Sequence, residues 1–195
     1  MNSVVRIPLV TSPQQFAQLE ELQLVFTKVC NAIAPEVQRT RVWNRVVMHH
    51  MHYKSLREKF PELGSQMACN AIYAVSRTSR MLFQMPTSPF SLNKLGSQQL
   101  PLIKFENNCP VFFDRHTLSF NGTTLSLFTL NGRIKFDIKK NNIEINFEIL
   151  DNIQEIFLIK GDFLYELNFI YKVNSLKEKN KDKDNKFEMP DYLRI

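Results

Sequence analysis

The hydrophobic period changes abruptly at Met85-Pro86, and no single kind of secondary structure accommodates both sides of that change. Before it, apolar residues recur every three or four positions. After it come short β-rich runs separated by Gly, Asn and Asp. A short β-rich run at 4–10 comes first. Ser12-Pro13-Gln14-Gln15 then supplies a capping hydroxyl, a proline at the first helical position and a glutamine three residues after the cap. Phe16, Leu19, Leu22, Phe26, Val29 and Ile33 form one stripe, and Pro35 either closes this helix or starts a new turn. A second helix is expected from residue 36 or 41 to Phe60, stopped by Pro61. Its stripe is Val42, Val46, Tyr53, Leu56 and Phe60, with His49 in the remaining slot. At 100° per residue, Arg41, Arg45, His52 and Lys59 lie on one flank of that stripe, and His50, Lys54 and Arg57 on the other. A third helix follows Gly64-Ser65 with Met67, Ala68, Ala71, Ile72 and Val75 inward. Its opposite face carries Gln66, Asn70, Tyr73, Arg77 and Arg80.

Residues 86–101 are crowded with Pro, Ser, Gly and Gln and read as a loop. Strands are expected at 102–106, 111–114, 116–120, 123–130, 133–138, 143–149, 155–160 and 163–173. Asn121-Gly122 and Asn131-Gly132 predict type I′ hairpin turns, in which both central residues take positive φ. Asn141-Asn142 and Gly161-Asp162 mark further turns. Closely spaced antiparallel strands joined this way suggest a small barrel rather than an open sheet. The fold class is therefore α+β, with helices inserted after an N-terminal strand. Residues 1–12 and 86–173 are expected to build the β-barrel and 13–85 the helical domain. Residues 174–195, with the run LKEKNKDKDNK, are expected to be a charged tail or linker.

Charge is as uneven as period. Residues 1–100 carry eleven Lys and Arg against five Asp and Glu, whereas 101–173 carry eight against nine. Seven of those eleven cations are arginine, the side chain suited to phosphate forks and to stacking on bases. Such a region points to an anionic partner, nucleic acid first and an acidic protein or lipid surface second. The Gln66, Asn70, Tyr73, Arg77 and Arg80 face offers arginine for phosphate, a ring for stacking and amides for sugar or base edges. The competing reading is an ordinary solvated helix face, and composition leaves both open. Arg39, Arg41 and Arg45 stand under the same two readings.

Other chemistries find little support. His49 and His52 lie one helical turn apart but lack a third ligand at suitable spacing, so a polar or nucleic-acid-facing cluster is the preferred reading. Three cysteines spaced about forty residues apart suggest neither a disulfide framework nor a zinc ribbon. Five ungrouped glycines make no phosphate loop. Asp137, Glu144, Glu148 and Asp151 fall on the solvent side of alternating strands. No catalytic residue and no cofactor is expected. With 44% hydrophobic and 23% charged residues, no long apolar run and no basic-then-apolar N-terminus, a cytoplasmic globular protein with free thiols and no membrane partner is expected.

Residues 53–75, YKSLREKFPELGSQMACNAIYAV, resemble a signature of the TnpB (OrfB) proteins of insertion sequences, relatives of the compact type V CRISPR effectors. Residues 128–135, FTLNGRIK, preceded by Asp114-Arg115 and Leu118-Ser119, resemble a second segment of that family. Residues 159–165, IKGDFLY, are similar to a later hairpin of it. The three matches follow family order across nearly residues 1–173. The resemblance implies a wedge β-barrel of oligonucleotide-binding type, interrupted after its first strand by a helical recognition domain. It implies a structured guide RNA and target DNA as partners, with base pairing reading most of the sequence. Arg77 and Arg80 correspond to the recognition helix, and Arg133 and Lys135 to a wedge strand. Arg39, Arg41, Arg45, His52, Arg57, Gln66, Asn70 and Tyr73 complete the expected nucleic-acid-binding set.

The family's RuvC-like nuclease needs three separated carboxylates for two metal ions, and its members carry paired CxxC zinc motifs. Neither occurs in these residues, and Gly161-Asp162 falls in an expected turn. The expectation is a nucleic-acid-binding lobe without nuclease activity of its own. The alternatives are one subunit of a split endonuclease whose catalytic chain is separate, a protein-interaction module with an acidic partner, and a decayed transposase fragment.

Overall fold

A computed structural model describes residues 2–137, 152–172 and 187–195, and it is α+β: helices fill most of 13–95 and antiparallel sheets the rest. The chain divides into two compact units. One comprises residues 1–24 with 110–178, the other 25–109 with 179–195.

In the first unit, β1 (Asn2–Leu9) pairs antiparallel with β8 (Tyr165–Lys172). β8 pairs in turn with β7 (Ile153–Lys160), and β7 with β3 (Val111–Phe113). A separate meander joins β4 (Leu118–Asn121), β5 (Thr124–Thr129) and β6 (Gly132–Asp137). The alternation in TLSLFT puts Leu125, Leu127 and Thr129 inward, as a half-buried strand requires. Ile7, Leu9, Leu158, Tyr165 and Leu167 are buried with them. Phe120 of β4 packs on Phe169 of β8 at 5.8 Å between ring centroids, so the two sheets share a core. Helix α1 (Pro13–Thr40) begins in this unit. Its capping box forms as the sequence predicts: Ser12 N donates to Gln15 Oε1 and Gln15 N to Ser12 Oγ, at 3.0 and 3.2 Å. Phe16 packs on Tyr165, whose hydroxyl donates to Gln23 Oε1 at 3.0 Å, both groups being buried.

Among the described residues the sheets have four, three and two strands, and none closes on itself. The strand expected at 143–149 and the Asn141-Asn142 turn lie outside the described residues, as do residues 174–186 of the expected tail. Both Asn-Gly turns form, but not as type I′. Asn121 pairs with Thr124, so the loop residues are Gly122 and Thr123, and only Gly122 has positive φ (57°). Thr129 pairs with Gly132, the loop residues are Leu130 and Asn131, and the positive φ (106°) falls on Gly132. In each case glycine alone takes the left-handed conformation, which costs it nothing. At the β7–β8 turn the chain enters β8 at Tyr165, leaving Phe163 at the tip instead of in a strand.

The second unit is built on the remainder of α1, on α2 (Arg45–Lys59) and on α3 (Ser65–Gln84), with a 3₁₀ turn at Pro61–Leu63 between the last two. Pro35 does not end α1. The helix runs five residues past it because Ala34 and Val37 are buried and hold its last turns in place. Asn44 caps α2, its Oδ1 accepting from Val46 N and Val47 N at 3.0 and 3.2 Å. The stripe of α2 differs from expectation. Met48 and Leu56 are its buried residues, whereas Val46 is 63% exposed. α3 is buried on more than one side: besides the expected Met67, Ala68, Ala71, Ile72 and Val75, the small residues Ala74, Ser76, Thr78 and Ser79 are inside.

Residues 86–109 cluster with these helices rather than with the sheets. Leu100, Ile103 and Phe105 are buried, and Asn31 of α1 clamps the Phe105 backbone with two 2.8 Å hydrogen bonds. The end of the expected tail also differs. β9 (Leu193–Arg194) pairs with β2 (Lys104–Phe105), Leu193 is buried, and Glu106 N donates to Tyr192 O at 2.9 Å. Burial of Leu193 gives this end of the chain an apolar contact to hold it.

Candidate nucleic-acid interface

The first turns of α2 and the length of α3 enclose a groove in the second unit. Two depressions lie along it and share Arg45 and Val46 as a common wall. The larger, of about 420 Å³, is completed by His49, Gln66, Cys69 and Ile72. The smaller, of about 230 Å³, is completed by Trp43, Asn44, Ser76, Arg80 and Gln84. Arg45 lies over the Tyr73 ring with its guanidinium carbon 5.1 Å from the centroid. His49 stacks on Tyr53 at 4.7 Å and 19°. Ser76 Oγ donates to Trp43 O at 2.6 Å, tying the α1–α2 connection to α3. No carboxylate lines either depression, so the groove is cationic.

Three expected residues line the groove, Arg45, Gln66 and Arg80, and a fourth, Tyr73, lies under the Arg45 guanidinium. Arg77 is half-buried on the same helix. Asn70 departs from the expected face, being only 4% exposed with its Nδ2 3.8 Å from Met67 Sδ. A helix buried this widely leaves only a narrow strip to solvent, and residue 70 lies outside it.

Other expected residues have partners of their own outside the groove. Arg39 pairs with Glu36 on α1, and this partner holds the Glu36 carboxyl below its ordinary range. His52 feels the same Glu36 and Arg39 charges. Burial lowers its pKa, Glu36 opposes that, and Arg39 adds to it. Arg41 takes a positive φ of 57° at the end of α1, and its guanidinium donates to Gly96 O and Gln98 O at 3.0 and 3.3 Å. Arg57 donates to Pro61 O at 3.3 Å.

Arg133 and Lys135 belong to the first unit. Arg133 is a staple of the meander: Nε donates to Ser126 Oγ at 2.9 Å and Nη1 to His116 O at 3.3 Å. Its Nη2 donates to Ser119 Oγ at 3.1 Å and to Ser126 O at 2.9 Å. Its fork spans β4, β5 and β6 because side chains on one face of a pleated meander converge. Lys135 is exposed on β6, and its carbonyl accepts from Gln15 Nε2 at 3.2 Å.

Sequence reasoning missed Asn44, Val46, Cys69 and Gln84 as groove residues. Of these, only Asn44 carried a signal, as a capping residue one position before Arg45. Among the described residues no three His, Cys, Asp or Glu side chains gather to hold an ion, and His49 and His52 point to different neighbours. No disulfide joins the three cysteines: Cys30 and Cys109 are buried, and burial raises the Cys30 thiol well above its usual range, with Cys109 adding to the effect. No helix among the described residues is long and apolar enough to cross a membrane. Compared with known protein families and with curated proteins, the sequence matches none.

Proposed function

We propose that this chain is a nucleic-acid-binding lobe of TnpB-like character, holding a structured RNA and the target DNA paired to it, without nuclease activity of its own. The observation that carries this reading is that Arg45, Gln66 and Arg80 line one groove free of carboxylates, with Tyr73 beneath the Arg45 guanidinium. Arginine beside amides and a ring is the chemistry that phosphate and unstacked bases require. A return of β1 to pair with β8 is what a wedge barrel interrupted by an inserted recognition domain would need, and that architecture is part of the proposal. In this reading a separate nuclease-bearing chain is a further partner.

A second reading has its own support. Val47 and Met51, one turn apart on α2, are both exposed, an apolar pair of the kind that meets protein partners. Isolating the protein from its own cells and sequencing the nucleic acid that accompanies it separates the two. Enrichment of one structured RNA supports the first reading. A preparation free of nucleic acid with a co-purifying protein refutes it and supports the second.

A further inference from the structure

The two depressions of the α2–α3 groove share Arg45 and Val46 but differ in size and in chemistry. Sites that enclose an organic ligand span about 300–1,000 Å³. The larger depression, at about 420 Å³, falls inside that range, and the smaller, at about 230 Å³, does not. Val46 and Ile72 give the larger one apolar walls, and Gln66 brings an amide, which both donates and accepts. His49 on its rim is already stacked against Tyr53, so a planar ring laid on the imidazole would extend an existing stack. The smaller one has Arg45, Arg80, Asn44 and Gln84, cations and amides suited to an anionic group.

We propose that the larger depression is a pocket for one unstacked nucleobase and the smaller one the seat of the adjoining phosphate, so that the groove takes a single-stranded segment. This rests on the nucleic-acid reading above and narrows it. A regular duplex keeps its bases stacked inside and would offer the groove phosphates alone, leaving the larger depression empty.

Cys69 lines that depression while Cys30 and Cys109 are buried, so alkylation of the native protein by iodoacetamide reports on the pocket. An eight-nucleotide oligoadenylate at about ten times its Kd is expected to slow Cys69 alkylation about tenfold. An abasic strand of equal length and charge is expected to bind about tenfold more weakly, for want of the stacked base, and to leave Cys69 reactive when saturating. His49→Ala is expected to weaken the adenylate about tenfold and the abasic strand hardly at all. Equal binding of both strands with no protection of Cys69 overturns the base pocket while nucleic-acid binding stands. Equal protection by an A-form duplex overturns it too. If no strand binds, the underlying reading fails as well.

Discussion

Replacing Arg133 by alanine removes four donated hydrogen bonds from the β4–β5–β6 meander, two to hydroxyls and two to backbone carbonyls. At about 1 kcal/mol net each, they outweigh the rotamer freedom the arginine loses, up to about 2 kcal/mol, and leave about 2 kcal/mol of stabilisation. With a urea dependence of about 2 kcal/mol per molar, the unfolding midpoint of the variant falls by about 1 M. Arg133→Lys keeps the charge but loses the fork, and one ammonium reaches fewer of these acceptors, so it falls nearly as far. Urea titration followed by far-ultraviolet circular dichroism measures both. Below the transition, RNA affinity of the two variants is expected to match that of the wild type. An unchanged midpoint with weakened RNA binding refutes the staple and returns Arg133 to the nucleic-acid surface that the sequence suggested.

Three further outcomes follow from single contacts. Leu193→Ala empties a buried site where β9 meets β2 and is expected to cost about 2–4 kcal/mol in chemical denaturation, whereas an unstructured tail would register no change. Tyr165→Phe removes the buried hydrogen bond to Gln23 and is expected to cost about 0.5–1.5 kcal/mol by the same assay. Burial depresses the His52 pKa below its usual 6.5, so the unfolded chain binds its proton first. The stability tied to neutral His52 is complete above about pH 6.5 and is lost as pH falls through the lower folded-state value. Melting temperatures of His52→Gln and wild type are expected to converge above pH 7 and to diverge in the wild type's disfavour toward pH 5.5; parallel profiles refute this placement of His52.

The helices were legible because their signals are local. Ser12 and Gln15 meet across one turn, and the α1 stripe of Leu19, Leu22, Phe26, Val29 and Ile33 is buried as its spacing requires. What misled was tertiary. Asn70 has the periodicity of an open face, but α3 sits among neighbours on several sides, and a polar residue there is buried all the same. Val46 has the periodicity of a core residue, but α2 turns Met48 inward instead. Arg133 looked available because the hairpin it staples brings Ser119 and Ser126 to it only in three dimensions. In the two Asn-Gly turns the glycine alone takes positive φ, so neither asparagine needs the left-handed conformation of a type I′ turn. Arg45 and Arg80, thirty-five positions apart, were both singled out in the sequence, yet nothing in their spacing shows that they share a wall of one groove.

That groove is the central claim, and salt dependence tests it most directly. The logarithm of the RNA association constant, measured by fluorescence anisotropy, is expected to fall linearly with the logarithm of salt concentration. In the Arg45→Ala/Arg80→Ala double variant the slope is expected to be shallower by about 0.7, the share of the one single-strand phosphate that both arginines hold, with the fold intact by circular dichroism. An unchanged slope in that variant, or wild-type binding indifferent to salt, would contradict the account.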